Sequence, residues 1–162
     1  MPNWCSNTIT IRGDKEKIKA IWDRAQNNWN VENSPFGLLE AISPVDMDNA
    51  TRETLIEQWG TKWDVMPDGL EYLEHSDNTA EISGWIDTAW SPPLEAFQGY
   101  SKNNPDVFLE LYFFEPGMCF VGYWNSEGVL DESAVYEDDL DQIPTYLREH
   151  FNIDEMFETM DC

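Results

Sequence analysis

One stretch limits the folds open to this chain more than any other. Val107 to Phe114 is nearly continuous in apolar and aromatic residues, Glu115-Pro116-Gly117 interrupts it, and Met118 to Trp124 resumes the run. Two such strands joined by about three residues make a β-hairpin, and an apolar hairpin needs a larger sheet and a covering layer to bury it. Gly122, inside the second run, marks a candidate bulge.

The rest of the chain supplies both sheet and cover. Residues 3–12 read as a first strand, because Thr8-Ile9-Thr10-Ile11 alternates with period two and is rich in β-branched residues. Gly13 breaks it, and Asp14 is placed to N-cap a helix over 15–28. Ile18, Ile21, Trp22, Ala25 and Trp29 form one apolar stripe of that helix, with Lys15, Lys17 and Lys19 mostly off it. Residues 30–47, punctuated by Pro35, Gly37 and Pro44, read as a loop whose Phe36, Leu38, Leu39, Ile42 and Val45 tuck against the core. A helix fits 50–59, with Leu55, Ile56 and Trp59 on one side. Residues 61–66 alternate like a strand, Pro67-Asp68-Gly69 is a turn, residues 70–75 are ambiguous, and residues 80–88 read as a strand. Ser91-Pro92-Pro93 predicts a helix to about 102, with Ser at the N-cap and Pro at the first helical position. Leu94, Phe97 and Tyr100 supply its buried side.

Beyond the hairpin, Asp138, Asp139 and Asp141 precede Ile143, Tyr146, Leu147 and His150. Two short helices are expected, over 139–150 and 154–160, the acidic residues favouring a helix N-terminus. The element order is β-α-(α)-β-β-α-β-β-α. It gives an α+β class: a ferredoxin-like sandwich, with a mixed or antiparallel sheet, helices on one face, and an acidic C-terminal helical extension. The 162 residues suit one domain, 1–162, divided into a core over 1–125 and the acidic segment 126–162.

The charge separates function classes. There are 32 acidic and 9 basic residues, a net charge of −23. Nucleic acid and anionic membrane are repelled by such a field, and a basic partner is attracted. The aromatic fraction of 14%, with eight Trp, supplies enough apolar area to exclude a disordered acidic tail. The charge is uneven. Residues 1–24 carry Arg12, Lys15, Lys17, Lys19 and Arg24 against Asp14, Glu16 and Asp23, whereas residues 106–162 carry 15 acidic residues and one basic residue, Arg148.

The three cysteines, Cys5, Cys119 and Cys162, form no CxxC pair. No charged n-region or long apolar run opens the chain, and no stretch reaches the roughly 20 apolar residues of a membrane span. The expected setting is the reducing cytoplasm, with free thiols.

Four segments carry a family resemblance: Met1-Pro2-Asn3-Trp4-Cys5-Ser6-Asn7, Trp59-Gly60-Thr61-Lys62-Trp63-Asp64, Thr88-Ala89-Trp90-Ser91-Pro92-Pro93 and Glu115-Pro116-Gly117. They are similar to the ferredoxin-like YubB family of phage, prophage and plasmid proteins. The resemblance runs from residue 1 to about 125 and leaves out residues 126–162. It implies a ferredoxin-like fold and a mobile-element origin, and it carries over no catalytic residue.

The residues themselves point to no catalytic or metal chemistry. His75 and His150 are far apart, and the cysteines lack ligand spacing. The run Glu137-Asp138-Asp139-x-Asp141 lacks the Gly at position six of a calcium loop, and Gly128 has Tyr123 where the first ligand belongs. No G-x-S-x-G or P-loop occurs. Carboxylate pairs for acid–base work arise by chance among so many acids. No cofactor is expected. Trp59, Trp63, Trp85 and Trp90 read as core or as pocket lining, and Lys62 is placed for a cation–π contact with Trp59 or Trp63.

The expectation that follows is a non-catalytic accessory protein that binds and inhibits a basic, nucleic-acid-binding host defence protein, a restriction or CRISPR component. Nucleic-acid mimicry is one route. Spread evenly over about 8,000 Å² of surface, the charge falls near one per 360 Å². A duplex carries about one per 100 Å², so mimicry requires clustering. The contact residues expected are Glu127, Asp131, Glu132, Glu137, Asp138, Asp139 and Asp141, meeting Lys or Arg side chains that otherwise grip phosphate. The alternatives are an assembly module binding through exposed aromatics, and an enzyme with an unrecognised carboxylate site.

Overall fold

The computed structural model describes residues 3–32, 34–46 and 48–159. Cys162 and the end of the last predicted helix lie outside them. The alternation around Ile9 becomes strand β1 (Trp4–Asp14), with Cys5, Asn7, Ile9 and Ile11 buried on one face and Trp4, Thr8 and Thr10 directed to the other. The Asp14 carboxylate accepts hydrogen bonds from the backbone N–H groups of Glu16 (3.1 Å) and Lys17 (3.4 Å), capping α1 (Lys15–Asn30) as predicted. Ile18, Ile21 and Ala25 are buried, and Trp22 stacks on Tyr72 at 5.9 Å between ring centroids. The buried stripe ends at Ala25, so Trp29, expected on it, stands out from the sheet in the last turn.

The predicted loop holds a five-residue helix, α2 (Leu38–Ile42), with Leu38, Leu39 and Ile42 buried as expected. Helix α3 (Arg52–Trp59) opens on a reciprocal Thr51–Thr54 cap and ends at Gly60, whose φ of +87° is the left-handed conformation glycine supplies cheaply. Of its expected inner side, Trp59 is buried, Leu55 packs in part and Ile56 is exposed. Residues 61–66 are irregular rather than a strand. Their alternation comes from Thr61 and Val65 turning inward while Trp63 turns out.

The ambiguous 70–75 stretch forms β2 (Leu70–Glu74), followed by β3 (Thr79–Ala89). Helix α4 (Leu94–Asn103) starts three residues after its predicted cap. The Ser91 hydroxyl donates to the Gly60 carbonyl instead, and Pro93 holds the cap position with no side-chain bond. The hairpin is β4 (Phe108–Glu115) and β5 (Phe120–Asn125). Gly122 is not a bulge: it pairs with Phe113 in register, and a Cβ there would lie 2.2 Å from the Phe113 ring.

Past residue 126 the structure departs from the expected helical extension. Val129–Ala134 forms a sixth strand, β6, paired with β5. A 3-10 turn (Glu137–Gln142), α5 (Thr145–His150) and α6 (Ile153–Thr159) follow. The sheet order is β2-β3-β1-β4-β5-β6, and every pairing is antiparallel. Its first four strands, with α1 and α4 as crossovers, form the βαββαβ unit of a ferredoxin-like domain, and β5 and β6 extend one side.

The expectation of helices on one face is corrected. Helices α1, α2 and α4 cover the face carrying Ile9, Ile82, Leu111 and Phe113. Helices α5 and α6 cover part of the opposite face, where Phe114 and Val121 pack with Ile143, Leu147 and Ile153. The continuous apolar run of β4 explains this, since it presents apolar residues on both faces and both then require a cover.

Candidate functional site

The seven acidic residues singled out in the sequence fall on and beside the β6 edge, and all are exposed. Glu127 sits in the β5–β6 turn, its N–H donating to Asn125 Oδ1 at 2.9 Å. Asp131 and Glu132 are consecutive on β6 and therefore point to opposite faces. The Asp131 carboxylate accepts the Tyr146 hydroxyl of α5. Burial and then that carboxylate raise the pKa of the Tyr146 hydroxyl far above the ordinary tyrosine value. Glu137, Asp138, Asp139 and Asp141 share the 3-10 turn. The structure thus gathers those four, separates Asp131 from Glu132 by face, and leaves Glu127 at the far end of a strand roughly 17 Å long.

None of the seven has an ion-pair partner among the described residues. The α1 side differs. Lys15 pairs with Glu74 (3.5 Å), Lys17 with Asp106 (2.8 Å), Lys19 with Asp23 (3.4 Å), and Arg24 with the buried Glu40. Over the whole surface of 9235 Å² the net charge is spread at about one per 400 Å², against about one per 100 Å² on a duplex. Charge as dense as a duplex's therefore requires local clustering.

A concave feature lies on the face that α5 and α6 leave partly open. Trp4, Trp63, Met66, Asp68, Trp85 and Asp87 line a cleft of about 540 Å³. Trp63 and Trp85, which the sequence leaves open as core or pocket lining, line the cleft. Trp59 is instead core, its indole N–H donating to the Ser43 carbonyl at 2.9 Å, and Trp90 lies beside Lys62. The Lys62 ammonium sits 5.8 Å from the Trp63 ring and 5.3 Å from the Trp90 ring, so its cation–π partners are Trp63 and Trp90 rather than Trp59. Trp4 was not foreseen. Its place at the start of β1, beside β3, brings it within 6.1 Å of Trp63 between centroids.

The loop bearing Trp63 is pinned by its neighbour. The Asp64 carboxylate accepts N–H bonds from Gly37 (2.7 Å), Leu39 (2.6 Å), Glu40 (2.9 Å) and Val65 (2.7 Å), and so caps α2 from outside it. Burial raises its pKa, and these four bonds oppose the rise. Residues of three of the four segments that carried the family resemblance, Asn3, Asn7, Thr61 and residues 88–91, meet near here. Trp90 N–H donates to Asn3 O (2.8 Å), Thr61 to Ala89 O (2.9 Å), Thr88 to Ser91 O (2.7 Å) and Asn7 Nδ2 to Thr88 Oγ1 (3.0 Å). These bonds tie the segments together beneath the cleft, which Thr88 and Ala89 also line.

The thiol of Cys5 is buried and its pKa is pushed up to about 12, chiefly by that burial. His150 Nε2 lies 2.7 Å from Thr8 Oγ1 and its ring stacks on Tyr112 at 3.9 Å. Among the described residues no group of three or more His, Cys, Asp or Glu is placed to hold a metal ion, and no helix is long and apolar enough to cross a membrane.

Comparison with known proteins adds a family. No curated protein matches the sequence. The crystal structure of protein api92 from Yersinia pseudotuberculosis is similar, with 16% identity and a TM-score of 0.39 over 62% of this chain and 36% of that one. This chain therefore spans little more than a third of that protein's length. A family model described as the ferredoxin-like domain in Api92-like protein matches residues 70–162, from β2 through the acidic C-terminal stretch. That match takes in more than half of the chain, and the protein belongs to this family of Api92-like ferredoxin-like domains.

Proposed function

We propose that this chain is a non-catalytic accessory protein of phage, prophage or plasmid origin that acts in the host cytoplasm. Its acidic β6 edge docks on a basic, nucleic-acid-handling host protein, a restriction or CRISPR component, and blocks it. The observation that carries this reading is the segregation of charge: the lysines of α1 are held in ion pairs, whereas Glu127, Asp131, Glu132, Glu137, Asp138, Asp139 and Asp141 are exposed without one among the described residues. Carboxylates that lack an internal ion-pair partner can form charge-assisted bonds with Lys or Arg without breaking a salt bridge. The grouping of Glu137, Asp138, Asp139 and Asp141 in one turn supports the local competition with phosphate that a chain of this mean charge density needs.

The test is capture from host lysate by the immobilised protein at low and at high salt, with the bound protein identified by mass spectrometry and challenged with duplex DNA or RNA. The expected result is a basic nucleic-acid-handling protein retained at low salt, released at high salt and displaced by nucleic acid. A partner that resists salt and ignores nucleic acid overturns the reading.

A further inference from the structure

We infer that the cleft between Trp4, Trp63 and Trp85 is an arginine-binding site, which takes an exposed arginine side chain of a protein partner between its indoles and carboxylates. The inference stands apart from the acidic edge, because the cleft is built from β1, β3 and the Asp64-pinned loop. Its three tryptophans are 49%, 50% and 51% exposed, a large apolar area to leave in water. Together they line one concavity of about 540 Å³, within the ordinary range for ligand pockets and larger than one side chain.

The charge of the lining selects the occupant. Its ionisable residues are all acidic. Asp64 is committed to backbone N–H groups, while Asp68 and Asp87 are exposed and have no ion-pair partner among the described residues. Indole faces attract cations, and Trp63 already has the chain's own Lys62 at 5.8 Å. A guanidinium satisfies both parts of the site at once, stacking flat on an indole while its planar N–H fork meets a carboxylate. An ammonium offers no flat face to stack. A phosphate-bearing ligand would meet carboxylates where it needs donors.

The site is largely formed in advance. Trp4 and Trp85 stand on adjacent paired strands, with Trp4 opposite Ala89 and Trp85 opposite Thr8. Asp87 lies two residues from Trp85 on the same face of β3.

The test follows the eight indole N–H signals by NMR while acetyl-Gly-Arg-Gly-amide is added, with the Lys and citrulline peptides as charge and shape controls. The expected result is saturable shifts of the Trp4, Trp63 and Trp85 signals with Trp29 unmoved. Affinity for the lysine peptide should be at least about fivefold weaker, and the citrulline peptide should give no response. Asp68→Asn with Asp87→Asn should weaken arginine binding about tenfold or more. Both positions are exposed, so the variant keeps its fold, which an unchanged circular dichroism spectrum confirms. Equal shifts from the Arg and Lys peptides, shifts outside the three indoles, or equal binding of acetyl-Gly-Leu-Gly-amide overturn the proposal.

Discussion

Helix α1 and the β6 edge lie toward opposite sides of the same sheet and treat charge in opposite ways. On α1 the apolar stripe is buried and Lys15, Lys17 and Lys19 are each matched to a carboxylate. On β6 nearly every residue is exposed on both faces, and the carboxylates have no matching cation among the described residues. One element is satisfied within the chain and the other is left with unspent interactions. Net charge alone does not distinguish them, since α1 and its partners together also carry many acids.

The sharpest contrast is in packing. Phe97→Ala, on the buried side of α4 in the same helix-covered core as the α1 stripe, should cost about 3–5 kcal/mol, whereas Leu130→Ala on the exposed β6 should stay within about 0.5 kcal/mol. Urea unfolding of both variants reads the difference. A comparable loss at Leu130 would mean that β6 is a packed element and not a surface.

Asp64→Ala tests the loop that pins α2 and the Trp63 side of the cleft. Four N–H groups lose their acceptor at once, and a loss of about 1–3 kcal/mol is expected. Hydrogen exchange should rise at Gly37, Leu39 and Glu40. Unchanged exchange there would show that α2 holds itself.

A smaller effect separates the two charged regions directly. Replacing Glu137, Asp138 and Asp139 by their amides should raise the melting temperature by about 1–3 °C at low salt, through relief of self-repulsion, and by nothing in high salt. The same count of neutralisations at Asp23, Glu74 and Asp106, which strands Lys15, Lys17 and Lys19, should not raise it. Equal responses would erase the distinction between the regions.

The smallest effect is a pH dependence on the second face of the sheet. Burial lowers the pKa of His150, against the opposing effect of Glu110. The unfolded chain then binds the proton more tightly than the folded one. The stability tied to His150 is present above about pH 6.5 and is lost as pH falls below it. Melting temperatures between about pH 7.5 and 5.5 should show this loss, and His150→Phe should flatten it. A pH profile identical in the two proteins would contradict it.

The parts of the fold that were legible in the sequence are those where local chemistry and packing agree. Asp14 caps α1, Thr8 to Ile11 alternate on β1, and the run about Phe113 pairs as a hairpin. Two misreadings share a physical cause, which is long-range partners, and a third has its own. Residues 61–66 look like a strand until Asp64 is seen to cap a helix some 25 residues earlier in the chain. Ser91 looks like an N-cap until Gly60 takes its hydroxyl. Strand β6, with the sequence Val-Leu-Asp-Glu-Ser-Ala, has no apolar face because it is an edge, so periodicity had nothing to detect. The acidic cluster was visible as a run of charge. The aromatic cleft was half visible: Trp63 and Trp85 stood out by type, and Trp4 joined them only through the β1–β3 register.

The measurement that bears most directly on the central claim compares two variants of equal charge in lysate capture. One carries amides at Glu127, Asp131, Glu132, Glu137, Asp138, Asp139 and Asp141. The other carries seven amides at exposed acids elsewhere, Glu16, Glu32, Asp48, Glu53, Glu57, Glu71 and Glu158. The account predicts that the second variant retains the basic partner of the wild-type protein and the first loses it. Equal retention by both, or equal loss from both, would contradict a localised acidic docking edge.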